Sequence, residues 1–131
     1  MSEVLNRDGI DREARRIVLV VDDEAIVRNF MKRVLAGEGY DVLSATNGRE
    51  ALALVEVGAI DLVVTDIMMP ELDGIELGAR ISQLPAGPPV IYVSASDHPP
   101  AGMGEWYLAK PFAAGDLARM AGEILSRTSH S

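Results

Sequence analysis

Short runs of apolar, mostly β-branched residues alternate along this chain with longer segments of helical periodicity. A run such as Ile17–Val21 is apolar at consecutive positions, which is typical of a strand that is buried on both faces. Strands of this kind occur in parallel sheets whose two faces are covered by helices. Because the crossovers between parallel strands are right-handed, the alternation predicts an α/β fold with a doubly wound, open, five-stranded parallel sheet.

The predicted elements cover most of the chain after residue 15. The predicted strands are 17–21, 41–45, 61–65, 90–93 and 106–109, and the predicted helices are 25–36, 47–57, 73–84 and 113–126. The first helix places Ile26, Phe30 and Val34 at helical spacing. We expect a flexible or loosely helical lead-in at 1–15, one domain at 16–127 and a short tail at 128–131.

Composition excludes several classes of function. A net charge of −8 has the wrong sign for binding to nucleic acid. The chain has no cysteine, which excludes disulfides and thiolate metal sites. Its longest apolar run has five residues, whereas a membrane span needs about 20. These features predict a cytoplasmic protein that binds neither nucleic acid nor membranes.

Polar residues follow four of the predicted strands. Asp22 and Asp23 come after the first strand, Asp66 after the third, Ser94 after the fourth and Lys110 after the fifth. Taken singly, an aspartate or serine at such a place is commonly a helix cap or a turn residue. The carboxyl ends of parallel strands meet at one edge, however, and that edge is where such sheets bind ligands. The positions therefore predict one site.

The residue types indicate the chemistry of this site. Neighbouring carboxylates repel one another unless a cation lies among them, and oxygen ligands select a hard ion such as Mg²⁺. Lys110, one of only two lysines, suits a phosphoryl oxygen, and the Ser94 hydroxyl can donate to another. A carboxylate can accept a phosphoryl group as a mixed anhydride, and Asp66, which is separate from the Asp22–Asp23 pair, is the best candidate.

Four segments resemble the receiver domain of two-component response regulators. They are Val20-Val21-Asp22-Asp23-Glu24, residues 64–74 (VTDIMMPELDG), Val93-Ser94-Ala95 and Lys110-Pro111-Phe112. The resemblance extends over about residues 16–127 and implies a flavodoxin-like fold. It implies a phosphoprotein that takes a phosphoryl group from a histidine kinase or phosphotransfer protein and then changes its partner-binding surface. Such a protein is not an enzyme, although it assists its own phosphotransfer and dephosphorylation.

The resemblance also implies roles for individual residues. Asp66 would be the phosphoacceptor, and the metal, Mg²⁺ or Mn²⁺, would be bound by Asp22, Asp23, Asp66 and the backbone carbonyl of Met68.

Five further residues receive supporting roles from the same resemblance. Lys110 would contact the phosphoryl group, and a cis bond to Pro111 would set its direction. Ser94, a second phosphoryl contact, would form a switch pair with Tyr107. The small side chain of Ala95 would leave the phosphoryl group accessible.

Three alternatives differ from this interpretation. A haloacid-dehalogenase-type phosphatase needs a second acid two residues after the first, whereas Asp22 and Asp23 are adjacent. A flavin-binding protein needs a phosphate loop, and the glycines at 37 and 39 follow a helix rather than a strand. A pseudo-receiver that only binds a partner remains open, although all five site positions are intact.

The chain departs from the family between Ser94 and Trp106. Only eleven residues separate them, and the family has a longer stretch there that carries its fourth helix. The helix-breaking residues are Pro99, Pro100, Gly102 and Gly104. We therefore expect a loop instead of the fourth helix, leaving Tyr107 available to a partner or to a second copy of the chain. The chain is either a stand-alone, single-domain receiver or one excised from a longer protein.

Overall fold

The computed structural model describes residues 15–95 and 106–128. Within these ranges the strands are β1 (Ile17–Val21), β2 (Asp41–Ala45), β3 (Leu62–Asp66), β4 (Val90–Ser94) and β5 (Tyr107–Ala109). The helices are α1 (Ala25–Gly37), α2 (Gly48–Val57), α3 (Gly74–Ser82) and α4 (Ala114–Thr128). All strand pairs are parallel, in the order β2-β1-β3-β4-β5. The predicted α/β fold is confirmed, and each predicted boundary lies within two residues of the observed one.

The core consists of two apolar layers, one on each face of the sheet. Alternate residues of β1 point to opposite faces: Val18 and Val20 pack into the layer that includes α1 and α4 residues, whereas Leu19 and Val21 pack into the layer that includes α2 and α3 residues. This arrangement explains why a run of consecutive apolar residues is needed in the central strands. Every residue of β3 is buried.

The strand register aligns the carboxyl ends of the sheet. Val21 of β1 is level with Thr65 of β3, and Asp66 is level with Val93 of β4. Ser94 is level with the last residue of β5, Ala109. The residues at or just after the ends of these strands therefore lie along one edge, as the sequence predicts, although Asp66 and Ser94 are the last residues of β3 and β4 rather than the residues after them.

Polar side chains begin two of the helices at this edge. Asn47 accepts a hydrogen bond from the Glu50 N–H at 2.8 Å, and Asp73 accepts one from the Glu76 N–H at 2.9 Å. The Glu50 carboxylate accepts from the N–H of Thr46, one residue before the cap. These contacts fix where α2 and α3 start relative to the sheet.

Helical periodicity alone misrepresents Ile26. It shares its spacing with half-buried Phe30 and Val34, but its side chain is 86% exposed. The first turn of α1 lies beside the loops at the carboxyl edge, so Ile26 lines a surface groove there rather than the core.

Several predictions concern residues outside the described ranges. The expected loop over 96–105, most of the lead-in at 1–15 and the tail from residue 129 belong to this group. Within the described part, Tyr107 is half-buried. None of the described helices combines the length and apolarity that a membrane crossing requires.

Candidate functional site

Asp22 is the most deeply buried carboxylate of the site. Its side chain has no solvent exposure. Oδ1 accepts a hydrogen bond from the Glu24 N–H at 2.9 Å, and Oδ2 lies 3.2 Å from Lys110 Nζ. A buried charge is costly unless it is paired and hydrogen-bonded, and both conditions are met here.

Three carboxylates come together at the ends of β1 and β3. Oxygens of Asp22, Asp23 and Asp66 all lie within 4.8 Å of one another. Asp22 and Asp66 are buried, whereas Asp23 is exposed. Because this donor set consists of oxygens and carries three negative charges, it fits a hard divalent cation such as Mg²⁺ or Mn²⁺.

Asp66 closes β3 in an environment that disfavours its charged form. Burial raises the pKa of Asp66, and the neighbouring Asp22 carboxylate raises it further. Lys110, whose Nζ lies 3.6 Å from Oδ1, and the Met68 N–H, 3.4 Å from the same oxygen, oppose this effect without cancelling it. A bound cation would relieve this repulsion.

Lys110 is placed by the backbone of β4 and β5. Its N–H donates to the Ser94 carbonyl at 2.7 Å, and its peptide bond to Pro111 is cis, as the resemblance implies. Burial lowers the pKa of Lys110, but the Asp22 and Asp66 carboxylates outweigh this effect and the net pKa is raised. Lys110 is therefore held as an ammonium among carboxylates.

The remaining predicted site residues differ in their exposure to solvent. Ser94 ends β4 and is buried, and Ala95 after it is exposed. Pro111 is exposed at the same edge. Tyr107 begins β5, level with Tyr92 of β4, and is half-buried.

Met68 shows its side chain to solvent, with 70% of it exposed. Its backbone N–H is the group that approaches Asp66. The proposed role of its carbonyl stays a prediction.

Two site residues were missed by the reasoning from sequence. The Glu24 carboxylate, 66% exposed, lies 3.7 Å from Lys110 Nζ, and an Nη1 of Arg28 donates to the Asp22 carbonyl at 2.8 Å. Glu24 adjoins the acid pair, which was an available signal. The contact from Arg28 has no sequence signal, because it depends on the direction of a long side chain.

An apolar groove of about 570 Å³ adjoins Lys110 between α1 and the segment after β5. The rings of Phe30 and Phe112 lie against each other there, with their centroids 5.8 Å apart. Other residues lining it include Ile26, Val27, Ala95, Lys110 and Pro111.

Comparison with known proteins places these observations in a family. Residues 18–121 match the family model described as the response regulator receiver domain. The response regulator MprA of Mycolicibacterium vanbaalenii is 38% identical over 118 residues, covering 86% of this chain and 51% of the relative. The positive alginate biosynthesis regulatory protein of Pseudomonas aeruginosa is 41% identical over 110 residues, which cover 77% of this chain and 44% of the relative. The chain thus spans about half the length of these curated relatives.

Solved structures agree with the sequence comparison. The receiver domain of the Francisella response regulator 1452 superposes with a TM-score of 0.79 at 33% identity, covering 87% of this chain and 99% of that one. The receiver domain of the hybrid histidine kinase CckA superposes with a TM-score of 0.72 at 34% identity, and the match covers 83% of this chain and 98% of that one. Both of these structures are of receiver domains.

Proposed function

The chain belongs to the response regulator receiver family of two-component systems, and from this premise we propose that Asp66 accepts a phosphoryl group from the phosphohistidine of a histidine kinase or phosphotransfer protein. The observation that carries the proposal is the position of Asp66, whose carboxylate lies within 4.8 Å of oxygens of Asp22 and Asp23 and 3.6 Å from the Lys110 ammonium. The same arrangement favours this function over a pseudo-receiver that only binds a partner.

The proposed transfer is a displacement at phosphorus. An oxygen of the Asp66 carboxylate forms a bond to phosphorus while the bond from phosphorus to the donor imidazole nitrogen breaks, and that nitrogen keeps the electron pair. The product is an acyl phosphate. The site of this chain has to hold Asp66 in position and to balance the negative charge of the transferred group.

The carboxylates of Asp22, Asp23 and Asp66, with the Met68 carbonyl, would hold Mg²⁺ or Mn²⁺. The fit rests on the all-oxygen donor set and on the three carboxylates within 4.8 Å of one another. When bound, the ion supplies positive charge to the phosphoryl oxygens.

Lys110 and Ser94 would bind oxygens of the phosphoryl group. Lys110 is an ammonium whose Nζ lies 3.6 Å from Asp66 Oδ1, so a phosphoryl group on Asp66 comes within its reach. Pro111 fixes the direction of Lys110 through their shared peptide bond. Ser94 ends β4 at the same edge and contributes its hydroxyl.

The response would pass from Ser94 to Tyr107. As the Ser94 hydroxyl moves to the phosphoryl group, the half-buried Tyr107 side chain changes its position, and the surface around β4 and β5 changes with it. Ala95 leaves room for water, whose attack on phosphorus breaks the bond to Asp66 and restores the carboxylate with release of phosphate. The protein thereby promotes its own dephosphorylation.

The apolar groove beside Lys110 is a suitable docking surface for the phosphodonor. A downstream protein target would bind the β4–β5 face, where a second copy of the chain is an alternative occupant.

Some relatives are transcriptional regulatory proteins by name, but this chain corresponds to about half of their length. With a net charge of −8, these residues do not suit nucleic acid. We place the protein in the cytoplasm, where ATP-dependent kinases act.

Labelling with a small phosphodonor tests the proposal. The full chain is incubated with acetyl phosphate and MgCl₂, and its intact mass is measured. We expect a gain of one phosphoryl group, which is lost in Asp66→Asn and on chelation of the metal. Stoichiometric labelling of Asp66→Asn, or no labelling of the wild type by acetyl phosphate or a panel of phosphorylated kinases, overturns it.

A further inference from the structure

Asp22 is held at each of its polar groups. Its N–H donates to the Ala45 carbonyl at 3.3 Å, Oδ1 accepts from the Glu24 N–H at 2.9 Å, and Oδ2 accepts from Lys110 at 3.2 Å. The backbone carbonyl accepts from Arg28 Nη1 at 2.8 Å. Of these four partners, Arg28 is the one whose contact reaches the peptide that joins Asp22 to Asp23.

Arg28 is well placed to hold that peptide. It is half-buried in the first turn of α1, and its own N–H donates to the Glu24 carbonyl at 3.0 Å. Its side chain therefore links the start of the helix to the loop that precedes it. A guanidinium donating to a carbonyl forms a charge-assisted hydrogen bond, which is stronger than a neutral one.

The peptide between Asp22 and Asp23 sets the direction of both carboxylates. Asp22 points inward to Lys110, while Asp23 is exposed and still brings an oxygen within 4.8 Å of the other two carboxylates. A rotation of this peptide would separate the three oxygens. We propose that Arg28 is a positioning residue that orients the Asp22–Asp23 pair for cation binding. The proposal deepens the metal site and rests on the proposed function.

The positive charge of Arg28 allows a positioning effect on metal affinity to be distinguished from a purely electrostatic one. A guanidinium near a cation site repels a divalent cation, so if Arg28 acted through charge alone, its removal would strengthen metal binding. If Arg28 acts by orienting the ligands, its removal weakens binding, as loss of supporting contacts around metal ligands typically does by 10–100-fold. The two explanations predict opposite signs.

The test measures the Mg²⁺ affinity of the full-length chain by isothermal titration calorimetry. Arg28→Met removes the donor and retains most of the stem, and we expect it to weaken Mg²⁺ binding by roughly 10-fold or more. The matched control is Lys32→Met, which removes the same charge one turn further along α1, and we expect an affinity within about twofold of the wild type. Unchanged or tighter binding by Arg28→Met overturns the proposal.

A second variant covers the case in which Arg28→Met does not fold, as judged by circular dichroism. Arg28→Lys keeps the charge but shortens the reach and loses the planar fork. Weaker Mg²⁺ binding by this variant supports positioning, and wild-type affinity overturns it. Failure of the proposed function gives a different result, in which the wild type binds Mg²⁺ but is not labelled on Asp66. A wild type that does not bind Mg²⁺ overturns the proposed role of Arg28.

Discussion

The ammonium of Lys110 lies 3.2 Å from Oδ2 of Asp22, a carboxylate with no solvent exposure. This ion pair joins the end of β1 to the end of β5, the first and last strands of the sheet in chain order. The ion pair gives Lys110 a structural role in addition to its proposed contact with the phosphoryl group.

Removal of Lys110 should therefore destabilise the protein. Lys110→Met leaves the Asp22 charge buried without its cation, and breaking a buried pair in this way costs about 3 kcal/mol. Urea unfolding without divalent metal measures the loss, with Lys32→Met as the control for charge and side-chain type. Because a bound cation would offset part of the negative charge of Asp22, the difference in free energy of unfolding between Lys110→Met and the wild type should be smaller in MgCl₂. Equal stability of Lys110→Met and the wild type would show that Asp22 is neutralised by other means.

The stability should depend on pH through Asp66. Its pKa is raised in the folded protein, chiefly by burial and then by Asp22. Between the ordinary pKa of an aspartate and the raised folded value, the folded state binds more protons than the unfolded state, so stability falls as pH rises through that window. Asp66→Asn should consequently be more stable than the wild type at pH 7, with the difference disappearing below the ordinary pKa.

Denaturant unfolding at a series of pH values checks this prediction. The difference between Asp66→Asn and the wild type should also decrease in MgCl₂, because a cation stabilises the charged form. A variant that is less stable than the wild type at pH 7 without metal would contradict the direction of the shift.

Mg²⁺ should raise the free energy of unfolding by mass action. At a concentration 100 times the Kd, a ligand that binds only the folded state contributes about 2.7 kcal/mol. Asp23→Ala should abolish the gain, since this residue supplies one of the three carboxylates. Glu123→Gln, which removes an exposed carboxylate from α4, should retain it. Thermal unfolding at constant ionic strength is the measurement, and an Asp23→Ala protein that still responds to Mg²⁺ would exclude Asp23 as a ligand.

Glu24 should influence the kinetics of labelling more than stability. Its carboxylate is 66% exposed and lies 3.7 Å from Lys110 Nζ, so the pair contributes at most about 1 kcal/mol. Glu24→Gln keeps the backbone hydrogen bond to Asp22 but removes a negative charge that competes for Lys110. We expect faster labelling by acetyl phosphate and nearly unchanged unfolding. Slower labelling would indicate that Glu24 assists the reaction.

The sheet and the convergence of the site were predictable because both follow from local patterns. Residues 17–21 are apolar at consecutive positions, as expected of a strand covered on both faces, and the structure buries the last four of them. Once the strands are known to be parallel, the side chains at or just after the ends of β1, β3 and β5 are expected to meet at one edge without further information.

Contacts that depend on side-chain direction were not predictable. Helical spacing identifies an apolar stripe but does not reveal where the sheet beneath it ends, and Ile26 is exposed for that reason. Arg28 could have extended to solvent, as arginines generally do. Its bond to the Asp22 carbonyl is visible only once α1 and the preceding loop are placed together.

Gly74, the first residue of α3, should tolerate no side chain because it lies against the backbone of Asp66, the proposed acceptor. An added Cβ would overlap the Asp66 carbonyl oxygen and lie 2.8 Å from Ile67 Cα, and backbone atoms cannot rotate away. We expect Gly74→Ala to destabilise the protein by about 1–3 kcal/mol and to slow labelling of Asp66, since the strand end must shift. Gly122→Ala in α4, where a Cβ meets nothing within 4 Å, should instead stabilise by about 0.5–1 kcal/mol. Urea unfolding and acetyl phosphate labelling of both variants are the measurements. A gain in stability for Gly74→Ala would mean that α3 can move away from β3 at no cost, and the close packing of the two would then have no part in holding Asp66.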